Sequence, residues 1–215
     1  MKYLKAFGVL FGGLLGILLV GGWILPNDYD VARSQIIAAP AQEVFGYVAD
    51  VERFQQWQPW AHRDPTMQVE LTEQRTGVGA GYSWTSERAG TGSSKTITSD
   101  PPNRIVNTLQ FGGMGQSTAY WEFVEEDGFT TALWGLRGSN PGVLGGWVTM
   151  VLETPLAADL TAGLLRLKEV VEEAPPAPAA ADDDDSAAPG EAPPAEAAAG
   201  DPSATAAPAG DGSSE

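Results

Sequence analysis

The sequence contains no cysteine and a single histidine, His62. Without thiols there is no disulfide framework and no cysteine-ligated zinc, iron–sulfur or haem site. One histidine leaves only carboxylates to complete any metal shell, so no metal and no cofactor are expected. Basic residues are scarce as well: 12 Lys and Arg stand against 28 Asp and Glu, a formal net charge of −16. Phosphate backbones need a basic face, and this balance argues against a nucleic-acid partner. No G-x-S-x-G elbow, P-loop or H-E-x-x-H motif occurs. Gly77 and Gly79 form a Gly-x-Gly, but they precede a strand pattern, whereas a dinucleotide loop follows one, so they read as a turn.

Two further absences divide the chain. Residues 6–25 carry no charged or strongly polar side chain. As a helix they reach roughly 30 Å, the thickness of a bilayer's hydrocarbon core. Lys2 and Lys5 precede this run, Trp23 suits an interfacial anchor, and Pro26 stops the helix. A cleaved secretory signal shares the basic start and apolar middle, but its apolar part is usually shorter, and no A-x-A-like site lies around residues 21–27. The reading is an uncleaved signal-anchor, single-pass, with the lysines cytoplasmic and the rest of the chain on the periplasmic or extracellular side. Gly8, Gly12 and Gly16 form a small-residue stripe of the kind that lets helices pair, but glycine is common in membrane helices and the stripe is read as ordinary.

At the other end, residues 174–215 have no aromatic, no Val, Ile, Leu or Met, and no basic residue, while holding nine of the 28 acids. Such a chain has too little apolar surface to offset its ordering entropy, and it is expected to be a disordered acidic tail. Asp182–Asp185 lack the spaced ligands and glycine turn of a calcium loop.

Residues 27–173 remain as one domain. Residues 29–37 read as a strand, and Pro40 opens a helical stretch to Trp57 with an apolar stripe of Val44, Phe45, Val48, Val51 and Phe54. Six strand patterns follow at 67–74, 79–87, 91–100, 104–111, 116–126 and 128–137, separated by Gly, Pro, Asn and Asp. Asp127-Gly128 is the sharpest hairpin signal. Alternation places Tyr82 with Trp84, Leu109 with Phe111, Trp121 with Phe123 and Trp134 with Leu136. A helix over 143–153 is expected to kink or restart at Pro155 before the stripe Leu160, Leu164, Leu167, Val171. The fold class is α+β, an antiparallel sheet curved around a long C-terminal helix.

Four segments carry a resemblance. Residues 33–60 (RSQIIAAPAQEVFGYVADVERFQQWQPW), 77–84 (GVGAGYSW), 101–105 (PPNRI) followed by LQF, and 163–168 (GLLRLK) are similar, in order, to the polyketide cyclase/dehydrase branch of the SRPBCC (START-like, helix-grip) superfamily. The resemblance implies a β-α-α-β-β-β-β-β-β-α domain with an elongated apolar cavity between sheet and long helix. It implies a hydrophobic small-molecule partner such as a lipid, sterol or polyketide, and many members carry one N-terminal hydrophobic helix. Residues 136–155 depart from the family pattern in being glycine-rich, and in the family they border the cavity mouth.

Candidate ligand-cavity residues are the apolar-face side chains Tyr82, Trp84, Phe111, Trp121 and Trp134, with Leu164 from the terminal helix; for the aromatic five, core packing is the competing role. His62 with Asp64 two residues on is the weak catalytic candidate, a base with its orienting carboxylate, against a surface or structural histidine. Arg104 and Glu122 fall on outward strand positions. Three functions stay open: a membrane-anchored binder of a hydrophobic molecule, a cyclase or dehydratase, and a membrane-tethered interaction module.

Overall fold

The computed structural model describes residues 2–112 and 115–174. The expected acidic tail lies outside the described residues beyond Ala174. A first helix, α1 (Lys2–Ile24), follows the uncharged run and ends where Pro26 removes a backbone donor.

Strand β1 (Asp28–Ile37) leads into α2 (Ala41–Ala49), α3 (Val51–Trp57) and α4 (Pro59–Arg63). The sequence pattern predicts a single helix as far as Trp57, and the structure breaks it at Asp50. That residue is extended (φ −84°, ψ 112°), and its carboxylate accepts from the backbone N–H of Glu52 and Arg53. An aspartate competes for backbone donors, so it starts a new helix more readily than it continues an old one. Gln58 repeats the device, accepting from Trp60 and Ala61 N–H while Pro59 takes the first helical position.

The remaining strands are β2 (Gln68–Leu71), β3 (Gly81–Ser86), β4 (Gly90–Asp100), β5 (Arg104–Phe111), β6 (Gly115–Glu126) and β7 (Phe129–Ser139). They form one seven-stranded sheet in the order β1-β7-β6-β5-β4-β3-β2, antiparallel throughout. The β6–β7 hairpin turns on Asp127 (φ 50°) and Gly128 (φ 79°), the two consecutive left-handed residues that a two-residue hairpin loop requires.

One long helix, α5 (Gly145–Glu173), closes the sheet, and Pro155 lies inside it without ending it. An internal proline costs about 3 kcal/mol. Leu156, Leu160, Leu164, Leu167 and Val171 are all buried against the sheet, each stabilising by about 1.5–3 kcal/mol. Packing therefore outweighs the local break. Near its C-terminal end α5 is tied to β1 by polar contacts: the Lys168 ammonium donates to the Ile36 carbonyl (3.0 Å), and the Glu172 carboxylate accepts from Ala38 N–H (2.8 Å).

The core is uneven along the sheet. Towards one end Trp121 and Trp134, cross-strand neighbours, stack at 4.5 Å, and the ring of Trp57 meets both edge-on at 5.8 and 5.9 Å. Phe45 packs against Phe123 beside them. Gly163 of α5 passes so close that a Cβ there would sit 2.6 Å from the Trp134 ring, so the helix approaches the aromatic cluster only because that position has no side chain.

Candidate ligand cavity

Where the aromatic cluster ends, sheet and helix part. The space between them is about 320 Å³, at the low end of the range of roughly 300–1,000 Å³ that holds small molecules. Strands β3 and β5 supply Tyr82, Trp84, Leu109 and Phe111; β7 supplies Leu136; α5 supplies Val148, Leu152, Pro155 and Leu156. Trp84 and Phe111 meet edge to face at 5.6 Å and make one wall.

Most of the polar side chains on this wall are held by hydrogen bonds within the protein. The Tyr29 hydroxyl and Ser117 Oγ share a hydrogen bond of 2.7 Å. Asn140 Nδ2 donates to Thr149 Oγ1, whose hydroxyl donates to the Asn27 carbonyl. Asp159 accepts from the Trp60 indole N–H (3.1 Å) and pairs with Arg63 (2.7 Å). Gln58 spends its oxygen on the α4 N-terminus and its amide on Gln55. Burial pushes the Tyr82 phenol well above its usual range, against a smaller opposing effect from a hydrogen bond with Ser94, so it stays protonated. The cavity thus offers an apolar surface with hydroxyls, amides and one ion-paired carboxylate, Asp159, at its margin.

The structure separates the sequence-chosen residues. Tyr82, Trp84 and Phe111 line the cavity. Trp121 and Trp134 share their face of the sheet and Leu164 packs on it from α5, but all three lie in the close-packed part of the core, 2%, 2% and 1% exposed. Alternation reports the face of a strand and not the distance along it, which is why pattern alone groups these residues together. Tyr29, Ser117 and Asn140, with Val148, Leu152 and Leu156 of α5, are lining residues that the sequence reading did not single out. A signal for Leu136 was present in its alternation with Trp134.

His62 and Asp64 are not joined. His62 is exposed on α4 with Nε2 3.0 Å from the Gln56 carbonyl. Asp64 is turned the other way, accepting from the Ser86 hydroxyl and from both the backbone N–H (3.0 Å) and hydroxyl (2.6 Å) of Thr66. It clips the turn after α4 to the end of β3. Neither residue is among those lining the cavity. Arg104 and Glu122 are exposed cross-strand partners on the outer face.

Two carboxyls titrate below their ordinary range. Asp64 is held down by the Ser86 hydrogen bond first and those of Thr66 next, and Glu172 by Lys168 first and Ala38 N–H next. A carboxyl lowered in the folded state favours folding above its unfolded value, about 4, and that favour is lost as pH falls through the folded value. Thermal stability is therefore expected to drop as pH is lowered below about 4. Asp64→Asn should show a shallower drop in a melting series from about pH 6 to about pH 2, a range that brackets the titration of both states. Parallel curves for the two proteins would remove Asp64 from the acid response.

The family model described as polyketide cyclase / dehydrase and lipid transport matches residues 29–172. The chain belongs to this family. Among solved structures with the same fold is a protein of Thermus thermophilus, 18% identical, with a TM-score of 0.51 over 67% of this chain and 97% of that one. A hypothetical protein of Helicobacter pylori is 10% identical, with a TM-score of 0.52 over 66% and 88%. The di-domain ARO/CYC StfQ of the steffimycin biosynthetic pathway is 16% identical, with a TM-score of 0.51 over 69% of this chain and 52% of StfQ. The chain thus spans about half the length of that di-domain protein. At these identities the likeness is one of fold. A search of curated proteins found no match.

Proposed function

We propose that the domain binds a hydrophobic small molecule, a lipid or a polyketide-like compound, between sheet and α5, while α1 anchors the chain in a membrane. The observation that carries this reading is the cavity wall: aromatic and aliphatic side chains surround about 320 Å³, and Tyr29, Ser117, Gln58, Trp60, Asn140 and Asp159 at its margin have protein partners. Apolar ligands gain from such a surface, whereas a reaction needs a group free to exchange a proton or attack. The family's description, which joins cyclase, dehydrase and lipid transport, supports the ligand class.

Residues 6–24 are apolar enough to cross a bilayer and have few protein neighbours. Helix α5 is also long and apolar enough, but its leucine face is occupied by the sheet. With Lys2 and Lys5 on the cytoplasmic side, the folded domain lies across the membrane.

The test is native mass spectrometry of the full chain released from nanodiscs, followed by titration with a fluorescent fatty acid and a polycyclic aromatic probe. A reproducible extra mass removable by organic solvent, or saturable probe binding, is expected. A bare polypeptide mass together with no saturable binding of either probe would overturn the reading.

A further inference from the structure

The start of α5 is unusual for a water-facing surface. No charged residue occurs between Arg137 and Glu153. Val143, Leu144, Val148, Met150 and Val151 are each more than half exposed, and they cluster in the first turns of α5 and the loop before it. Contiguous exposed apolar surface of this kind marks an interaction site.

Its neighbour says what covers it. This segment packs on the last turns of α1. The Trp147 indole N–H donates to the Leu18 carbonyl at 3.1 Å. A Cβ on Gly21 would enter the Trp147 ring, one on Gly22 would strike the Val143 carbonyl, and one on Gly146 would meet Leu25. Side chains at any of these positions would push the two helices apart, so the glycines set their contact. Leu18 lies seven residues before Leu25, about 10 Å of helix short of the end of the apolar run. If α1 fills the hydrocarbon core, Trp147 is carried below the surface of the bilayer, with its one polar atom already bonded as an apolar medium requires.

We propose that residues 143–151 are immersed in the acyl region of the leaflet on the domain's side, and that the cavity takes its ligand directly from that leaflet. Val148 belongs to both surfaces: it is exposed in the apolar patch and it lines the cavity, followed on α5 by Leu152 and Leu156. A hydrophobic molecule passing from lipid to cavity along these side chains never meets bulk water, and so avoids the cost of exposing its apolar surface. The proposal rests on the reading of α1 as a membrane span.

The absence of cysteine makes the test direct, because single introduced thiols can be spin-labelled on the full chain in phosphatidylcholine/phosphatidylglycerol nanodiscs. Labels at Met150→Cys and Val151→Cys are compared with Ile17→Cys on α1 and Val124→Cys on the exposed face of β6 by power saturation with oxygen and a nickel chelate. The expected result is oxygen-accessible, nickel-shielded labels at 150 and 151 as at 17, and the reverse at 124. Labels at 150 and 151 that behave like 124 while 17 remains lipid-exposed would overturn the proposal and leave the anchor standing. A water-exposed label at 17 would overturn both. In a second measurement, M150D/V151D should slow uptake of a fluorescent fatty acid from vesicles by about tenfold, since a carboxylate is costly in the apolar layer, with affinity for the same acid in detergent unchanged. Uptake at the original rate would overturn the route.

Discussion

Trp121→Ala should lower the stability of the domain by about 3–5 kcal/mol, the range for removing a buried tryptophan. Trp121 is 2% exposed, stacked on Trp134 and on Phe123 and met edge-on by Trp57, so three rings lose contacts at once. The neighbours are held by the sheet on one side and by α5 on the other, and they cannot collapse into the void. Against a total of about 5–15 kcal/mol for an ordinary domain, this is a large fraction. In the full chain, melting followed by near-ultraviolet circular dichroism should fall by roughly 6–20 °C, at about 2–4 °C per kcal/mol for a domain of this size. Trp84→Ala is the control: it opens onto space that already exists, and its cost should be visibly smaller. Equal losses for the two would mean that the solid and hollow halves of the core are not distinct.

Leu109→Trp should abolish most binding while leaving the fold intact. Leu109 lies on the cavity wall, 9% exposed, and a larger ring there has about 320 Å³ to turn into. Affinity for a fluorescent fatty acid should fall about a hundredfold, equivalent to about 2.7 kcal/mol. Stability should hold or rise slightly, because atoms facing a void gain partners. In a well-filled core the same change would be overpacking, with a cost of about 1–3 kcal/mol. The combination of unchanged binding and a lower melting temperature would therefore sink the cavity assignment.

These two variants also mark how far the sequence can be read. Strand alternation, the Asp127-Gly128 turn and the terminal leucine stripe were legible because each is a local rule with a period or a required backbone angle. The extra helix starts at Asp50 and Gln58 were less so, since capping depends on which way a side chain turns. Pro155 reads as a break locally and is overruled by the leucines that follow it. The division between cavity and solid core was not legible from pattern. Tyr82 and Trp134 obey the same alternation, and only the divergence of α5 from the sheet separates a wall residue from a packed one. Trp147 carried no signal by itself either, because its role depends on Gly21 and Gly22, far from it in sequence.

The contacts between α5 and β1 have a consequence for how copies of this protein coexist. An open seven-stranded sheet has two free margins, and each is a template on which a foreign strand can add. On the β1 side, Ala158, Thr161, Ala162 and Leu165 of α5 face Asp30–Arg33, and Lys168 and Glu172 occupy the Ile36 carbonyl and the Ala38 N–H. On the other side β2 is only four residues long and carries Glu70. On the reading of α1 as a membrane span, copies of the chain share one surface and meet more often than chains in solution would. With one margin flanked by a helix and the other only four residues long, neither margin offers a long open edge for a second copy to pair with.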